Sequence, residues 1–142
     1  MIYVLSRQGF KDTNVIGHVI SIWGTNEYID QDVMDSKLES MKSYLKLDFD
    51  DITKLIDSIV EGQKRHFIRF NIEHLEEIRQ FVMKIPDGED LIIHCDAGIS
   101  RSAAIGEALG VLLRVEVRYE RSCIHPNSFI LRVMKRYWDK AN

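Results

Sequence analysis

The sequence is poor in cysteine and proline, with two of each among 142 residues. Cys95 and Cys123 are too few for a disulfide framework, and no CxxC pair offers a structural zinc site. Cysteine chemistry here is therefore more readily catalytic than structural, as in a reducing compartment. Pro86 and Pro126 punctuate the chain, and no glycine- or serine-rich tract or internal repeat marks a linker, so residues 1–142 read as a single domain. No apolar run approaches the ~18 residues a membrane span needs. Residues 1–7 lack the basic stretch and long apolar core of a secretory signal, and a cytoplasmic protein is expected. An excess of one charge is missing as well. The 19 basic and 22 acidic side chains leave a net charge of −3, which argues against nucleic acid or an anionic membrane as partner.

What is present is the mix of an ordinary soluble domain, 45% apolar and 29% charged. Residues 2–5 read as a short strand, and 15–23, rich in β-branched side chains, contain a second that Gly24-Thr25-Asn26 closes. The spacing of Leu38, Met41 and Leu45 predicts a helix over 35–44. Residues 45–49 alternate as a strand does and run into Asp50-Asp51. Ile52, Leu55, Ile56 and Ile59 predict a helix over 52–60. Ile72, Leu75, Ile78 and Val82 predict another over 71–83, with Asn71 as N-cap and Pro86-Asp87-Gly88 as stop. Leu91-Ile92-Ile93 is apolar on consecutive positions, the mark of a strand covered on both faces. Helices follow over 102–114, rich in small apolar residues, and over 127–138. Strands alternating with helices predict an α/β fold around a mostly parallel central sheet flanked by helices.

The chemistry lies in His94-Cys95-Asp96-Ala97-Gly98-Ile99-Ser100-Arg101-Ser102, between a buried strand and a helix start, where open α/β sheets bind ligands. Five residues between Cys95 and Arg101 allow a loop whose backbone N–H groups turn inward as an anion nest. The helix start adds its own unpaired N–H groups and positive end. Gly98 supplies the positive φ of a tight loop. Arg101 offers two parallel donors to two phosphate oxygens. The same field favours the thiolate of Cys95, the nucleophilic form. Ser102 is placed to hydrogen-bond the sulfur, and His94 to orient the loop through backbone groups.

These residues resemble the HCxxGxxRS loop of the cysteine-dependent protein tyrosine phosphatases, most closely the small dual-specificity branch. Leu47-Asp48-Phe49-Asp50-Asp51 is similar to the stretch ending in that family's general-acid aspartate. Pro126-Asn127-Ser128-Phe129-Ile130-Leu131 is similar to the start of its C-terminal helix. The resemblance implies the family's fold and a two-step displacement needing no cofactor or metal. Cys95 attacks phosphorus, Arg101 and the loop residues Asp96, Ala97, Gly98, Ile99 and Ser100 bind the phosphate, and Ser102 assists the sulfur. An aspartate, Asp51 ahead of Asp50 and Asp48, protonates the leaving oxygen and then activates water. An insertion at 61–65 accounts for the long separation of Asp51 from Cys95.

The implied substrate is phosphotyrosine in proteins, with phosphoserine and phosphothreonine as further substrates. RNA 5′-phosphates, phosphoinositides and small phosphometabolites are the alternatives within the same chemistry, and a non-catalytic phosphate-binding module is the alternative outside it. Cys123 reads as a bystander or as a disulfide partner for Cys95. His66 and His74 with Glu73 and Glu76 lack a metal-ligand spacing. Lys64-Arg65 reads as a solvated face or a contact for an acidic substrate flank.

Overall fold

The computed structural model describes residues 1–25, 27–53 and 68–140. In chain order the elements are β1 (Ile2–Leu5), α1 (Arg7–Asp12), β2 (His18–Trp23), α2 (Gln31–Glu39), β3 (Ser43–Asp48), α3 (Ile72–Met83), β4 (Leu91–His94), α4 (Arg101–Leu113), β5 (Val117–Tyr119) and α5 (Ser128–Tyr137). A short 3-10 turn, Trp138–Lys140, follows. The five strands form one sheet in the order β3-β2-β4-β1-β5, and every pairing is parallel. The α/β class expected from the alternation is the class observed.

Both faces of the sheet are covered. On one, Phe10 of α1 and Met34 and Leu38 of α2 pack with Val19, Trp23 and Ile92. On the other, α3, α4 and α5 pack against Ile20, Ile22, Leu91 and Ile93. Neighbouring side chains of β4 thus enter opposite cores, which is why its apolar residues stand consecutively. The small residues of α4 bring that helix close to the sheet. A Cβ on Gly106 would stand 2.4 Å from Val4 Cγ2, and one on Gly110 would stand 2.5 Å from Val117 Cγ2. No helix among the described residues is long and apolar enough to cross a membrane.

The structure departs from the sequence expectations at four points. The helix expected over 35–44 runs instead from Gln31 to Glu39, burying Met34 and Leu38. Met41 follows a turn in which its N–H donates to Leu38 O, and Tyr44 already belongs to β3. The i, i+3 spacing of Leu38 and Met41 therefore spans the end of a helix. Helix α1 and strand β5 were not expected; with six and three residues they are too short to show a period. Helix α4 begins at Arg101, one residue earlier than expected. The helix expected over 52–60 begins on Ile52 and Thr53, which are not helical. Its remainder, with Lys64-Arg65, His66 and the 61–65 insertion, lies outside the described residues. Asn71 caps α3 as expected: its side chain accepts from the N–H groups of Glu73 and His74, while its own N–H donates to His74 Nδ1.

Because all strands run one way, their carboxyl ends share one edge of the sheet. The segments that leave Leu5, Trp23, Asp48, His94 and Tyr119 all emerge there, and the sequence-predicted chemistry gathers among them.

Candidate active site

Cys95 follows β4 directly and is 2% exposed. Its Sγ lies 3.1 Å from Ser102 Oγ, in the first turn of α4, and accepts from the Gly98 N–H at 3.3 Å. The loop over 96–100 thus closes over the sulfur. Gly98 has φ +72, and a Cβ there would stand 2.7 Å from Ser6 N. Both the backbone and the space demand glycine. The outer side of the loop is pinned on three flanks. Asp96 O accepts from Arg7 N–H, Ile99 O from His125 N–H, and Ser100 O from Asn127 N–H, at 3.0, 3.0 and 3.1 Å. The Arg7 guanidinium adds an ion pair to Asp96 at 2.8 Å. Asp96 and Ala97 are themselves exposed, and Ile99 and Ser100 are half-buried.

Arg101 is 5% exposed and fully engaged on one side. Nη1 donates to Glu27 Oε1 at 2.9 Å and to Phe49 O at 3.2 Å, and Nη2 donates to Glu27 Oε2 at 2.8 Å. These bonds use three of the five guanidinium hydrogens. The remaining two, on Nε and Nη2, share one edge, the geometry that matches two oxygens of one phosphate. Burial works against the Arg101 charge, but the bond to Glu27 and the charges of Cys95, Glu27 and Asp51 outweigh it, so its pKa is raised. For Glu27 burial likewise opposes ionisation, and the Arg101 bond and charge prevail, holding its carboxyl below the usual range. Glu27 also accepts from the Gly24 N–H.

The three aspartates after β3 separate by contact. Asp51 Oδ1 accepts from Ser100 Oγ and from Asn127 Nδ2, each at 2.7 Å, so this carboxylate leans against the cysteine loop. Asn127 also caps α5 by accepting from the Ile130 N–H. Asp50 faces away, accepting from the Thr25 N–H and hydroxyl and from the Ile68 N–H. It ties two loops together. Asp48 accepts from the Tyr28 hydroxyl, and this bond raises the phenol pKa to about 12.

His94 is 1% exposed and stacks on Phe10, with ring centroids 4.8 Å apart. Its Nδ1 lies 3.4 Å from Cys95 O, so the ring does meet backbone of the loop. Burial pushes its pKa down to about 4. A depressed pKa contributes stability that is present above the unfolded value of about 6.5 and is lost as pH falls through the folded one. The protein should therefore lose about 3 kcal/mol of unfolding free energy between pH 7 and pH 4 on account of this ring. Half-buried His74, also lowered by burial, acts in the same direction. Urea midpoints measured across that range test this, and a midpoint unchanged from pH 7 to pH 4.5 would refute it.

Sequence reasoning missed Glu27, Arg7 and the reach of Asn127. For Glu27 a signal was available: a carboxylate in the turn leaving a buried strand at the binding edge. Cys123 is exposed, 3.7 Å from His125 Nε2.

No protein-family model matches the chain, and no curated protein does. Solved structures do resemble it. PTPMT1 in complex with PI(5)P is 17% identical, over 99% of this chain and 92% of that one, with a TM-score of 0.58. Tk-PTP in the active form is 14% identical, over 98% and 92%, with a TM-score of 0.59. A second PTPMT1 structure is 19% identical, over 89% and 78%, at 0.55. At these identities the likeness is one of fold.

Proposed function

We propose that this chain, which has the fold of the cysteine-based tyrosine and dual-specificity phosphatases, is a phosphomonoester hydrolase acting through a phosphocysteine. The observation that carries the reading is the buried Cys95 sulfur beneath the loop, with one edge of Arg101 left free by Glu27. The Cys95 thiolate attacks phosphorus as the ester P–O bond breaks. Arg101 and the loop N–H groups hold the three remaining oxygens as charge redistributes. Asp51, with Oδ1 occupied by Ser100 and Asn127, carries its proton on Oδ2 and delivers it to the leaving oxygen. In the second step the Asp51 carboxylate takes a proton from water as that water attacks phosphorus. The S–P bond breaks, and Ser102 donates to the departing sulfur.

The preferred substrate is phosphotyrosine in proteins, with phosphoserine and phosphothreonine secondary. Within the loop, Asp96, Ala97, Ile99 and Ser100 supply no cation for a multiply phosphorylated headgroup, and the nearby Arg7 is held by Asp96. Carboxylates around the site, Glu27, Asp51 and Asp96, weigh against RNA. A lipid substrate is the second reading, because the PTPMT1 neighbour was solved with PI(5)P. Hydrolysis of p-nitrophenyl phosphate in excess chelator, with and without vanadate, tests the chemistry. A panel of phosphotyrosine peptide, phosphoserine peptide and PI(5)P dispersions tests the substrate. Chelator-resistant, vanadate-sensitive turnover with peptide preferred is expected, whereas PI(5)P preferred over every peptide would overturn the protein assignment. No turnover alongside retained vanadate binding would make the chain a binding module.

The acid assignment has its own test. Asp51→Asn should lower kcat on a phosphotyrosine peptide by roughly 10²–10³-fold, within the range of general acid catalysis. The loss should shrink on p-nitrophenyl phosphate, whose leaving group needs little protonation. Asp50→Asn should lower stability and leave kcat within about threefold, since the amide keeps an acceptor for only one of Thr25 and Ile68. The reverse pattern would make Asp50 the acid.

A further inference from the structure

We infer that Ser21, with Trp23 behind it, is a positioning residue that acts on the cysteine loop through His94. Parallel pairing of β2 with β4 sets Ser21 beside His94, and Ser21 is fully buried. Its Oγ lies 2.7 Å from His94 Nε2 and accepts from Trp23 Nε1–H at 2.8 Å. An indole N–H can only donate, so the serine oxygen is an acceptor on that side. A hydroxyl oxygen can accept twice, so the proton is placed by the other ring nitrogen: Cys95 O can only accept, Nδ1 therefore donates to it, and the Nε2 lone pair takes the serine hydrogen. The ring proton is thereby assigned to Nδ1, facing Cys95 O at 3.4 Å.

Packing denies the ring an alternative. Phe10 stacks on it 5° from parallel, and Trp23 meets it edge-on at 89°. Trp23 is held in turn by Tyr28, stacked at 5.7 Å, and by Arg7 over its face. The charged and titratable groups around His94 are Arg7 at the start of α1 and Arg101 from α4, both of which disfavour an imidazolium, the Cys95 thiol, and Tyr28 behind Trp23. The ring is thus a neutral donor of fixed orientation.

The consequence reaches the anion nest through one peptide plane. In a trans peptide the C=O and N–H point opposite ways. With the Cys95 carbonyl held toward His94, the Asp96 N–H is turned to the other side of that plane, away from His94. Losing Ser21 leaves the Nε2 lone pair and the Trp23 N–H unpaired in the core, and the ring, no longer tethered at Nε2, can slide in its plane and lose the contact of Nδ1 with Cys95 O. The first amide of the loop is then free to rotate.

This inference rests on the phosphatase reading for its catalytic meaning but not for its structural test. Long-range ¹H–¹⁵N spectra distinguish the two neutral tautomers directly. The wild-type protein should show His94 as the Nδ1–H form from pH 6 to pH 8, and Nε2–H in wild type would overturn the assignment with no variant needed. In Ser21→Ala the His94 Nε2 resonance should move as its lone pair loses the serine hydrogen, Cys95 alkylation by iodoacetamide at pH 7 should slow, and kcat on p-nitrophenyl phosphate should fall roughly fivefold to tenfold. KM should change less than kcat. Ser21→Thr, which keeps the hydroxyl, should restore the Nε2 resonance and the alkylation rate. An unchanged Nε2 resonance and alkylation rate in a folded Ser21→Ala protein would refute the role. Were wild type inactive on every phosphoester while the tautomer and alkylation results held, the proposed function would fail and the Ser21 link would stand.

Discussion

Cys95→Ser should lower turnover of p-nitrophenyl phosphate by about 10⁴-fold or more, in line with loss of a covalent nucleophile, while phosphate and vanadate still bind. The structure separates these two outcomes. A serine oxygen in place of Sγ is close in size, and its surroundings are already polar. The Gly98 N–H can donate to it, and Ser102 Oγ, 3.1 Å from the sulfur, can exchange a hydrogen bond with it. The new hydroxyl is therefore not stranded in the core, and the fold should change in stability by under about 1 kcal/mol. The free edge of Arg101 and the loop amides are untouched, so the anion keeps its ligands. What is lost is the thiolate, since a serine hydroxyl stays protonated at neutral pH and has no general base beside it. Isothermal titration of phosphate and steady-state rates on the same preparation provide the check. Turnover within tenfold of wild type would eliminate the phosphocysteine route.

How much of this was legible in the sequence follows from how local each feature is. Cys95, Gly98, Arg101 and Ser102 lie within eight residues, and a strand-loop-helix context fixes their relative placement; the geometry between Cys95 and Ser102 needs nothing distant. The alternation of elements gave the α/β class, and the unbroken apolar run of β4 gave its two covered faces. The partners of the site were not legible. Glu27 meets Arg101 across 74 positions, and Ser21 meets His94 across 73. Both contacts exist only because β2 pairs with β4 instead of with its sequence neighbour β1. Strand order depends on which faces the helices cover, and one period of apolar residues does not encode it. The separation of Asp51 from Asp50 is a similar case. Adjacent carboxylates in one turn point to opposite sides, and which one faces the loop is decided by Ser100 and Asn127. The shifted α2 boundary has a simpler cause, since Leu38 and Met41 keep a helical spacing across the turn that ends the helix.

Arg101→Ala should lower kcat/KM by about 10³-fold or more, because the two donors proposed to meet the transferring phosphoryl group are removed together. Arg101→Lys should recover little of this. An ammonium is a point charge and cannot span two oxygens while also bonding both oxygens of Glu27 and the Phe49 carbonyl. The alanine variant carries a second defect that must be told apart from the first. Glu27 loses the partner that holds its carboxyl ionised, and Phe49 O loses a donor. Because the Glu27 side chain is 28% exposed, water can take over part of that role. The destabilisation should therefore stay below the ~3–5 kcal/mol of a fully buried broken pair. Glu27→Gln alone should cost roughly tenfold in kcat/KM, since an amide keeps one acceptor and loses the charge that fixes the guanidinium. On the Arg101→Ala background the same change should cost no further activity and should recover part of the lost stability. Non-additivity of that kind is the signature of two groups acting as one unit. If Glu27→Gln instead lowers the activity of Arg101→Ala by the same factor as it lowers wild type, Glu27 does not work through Arg101, and the view that it presents the free edge of the guanidinium to phosphate is wrong.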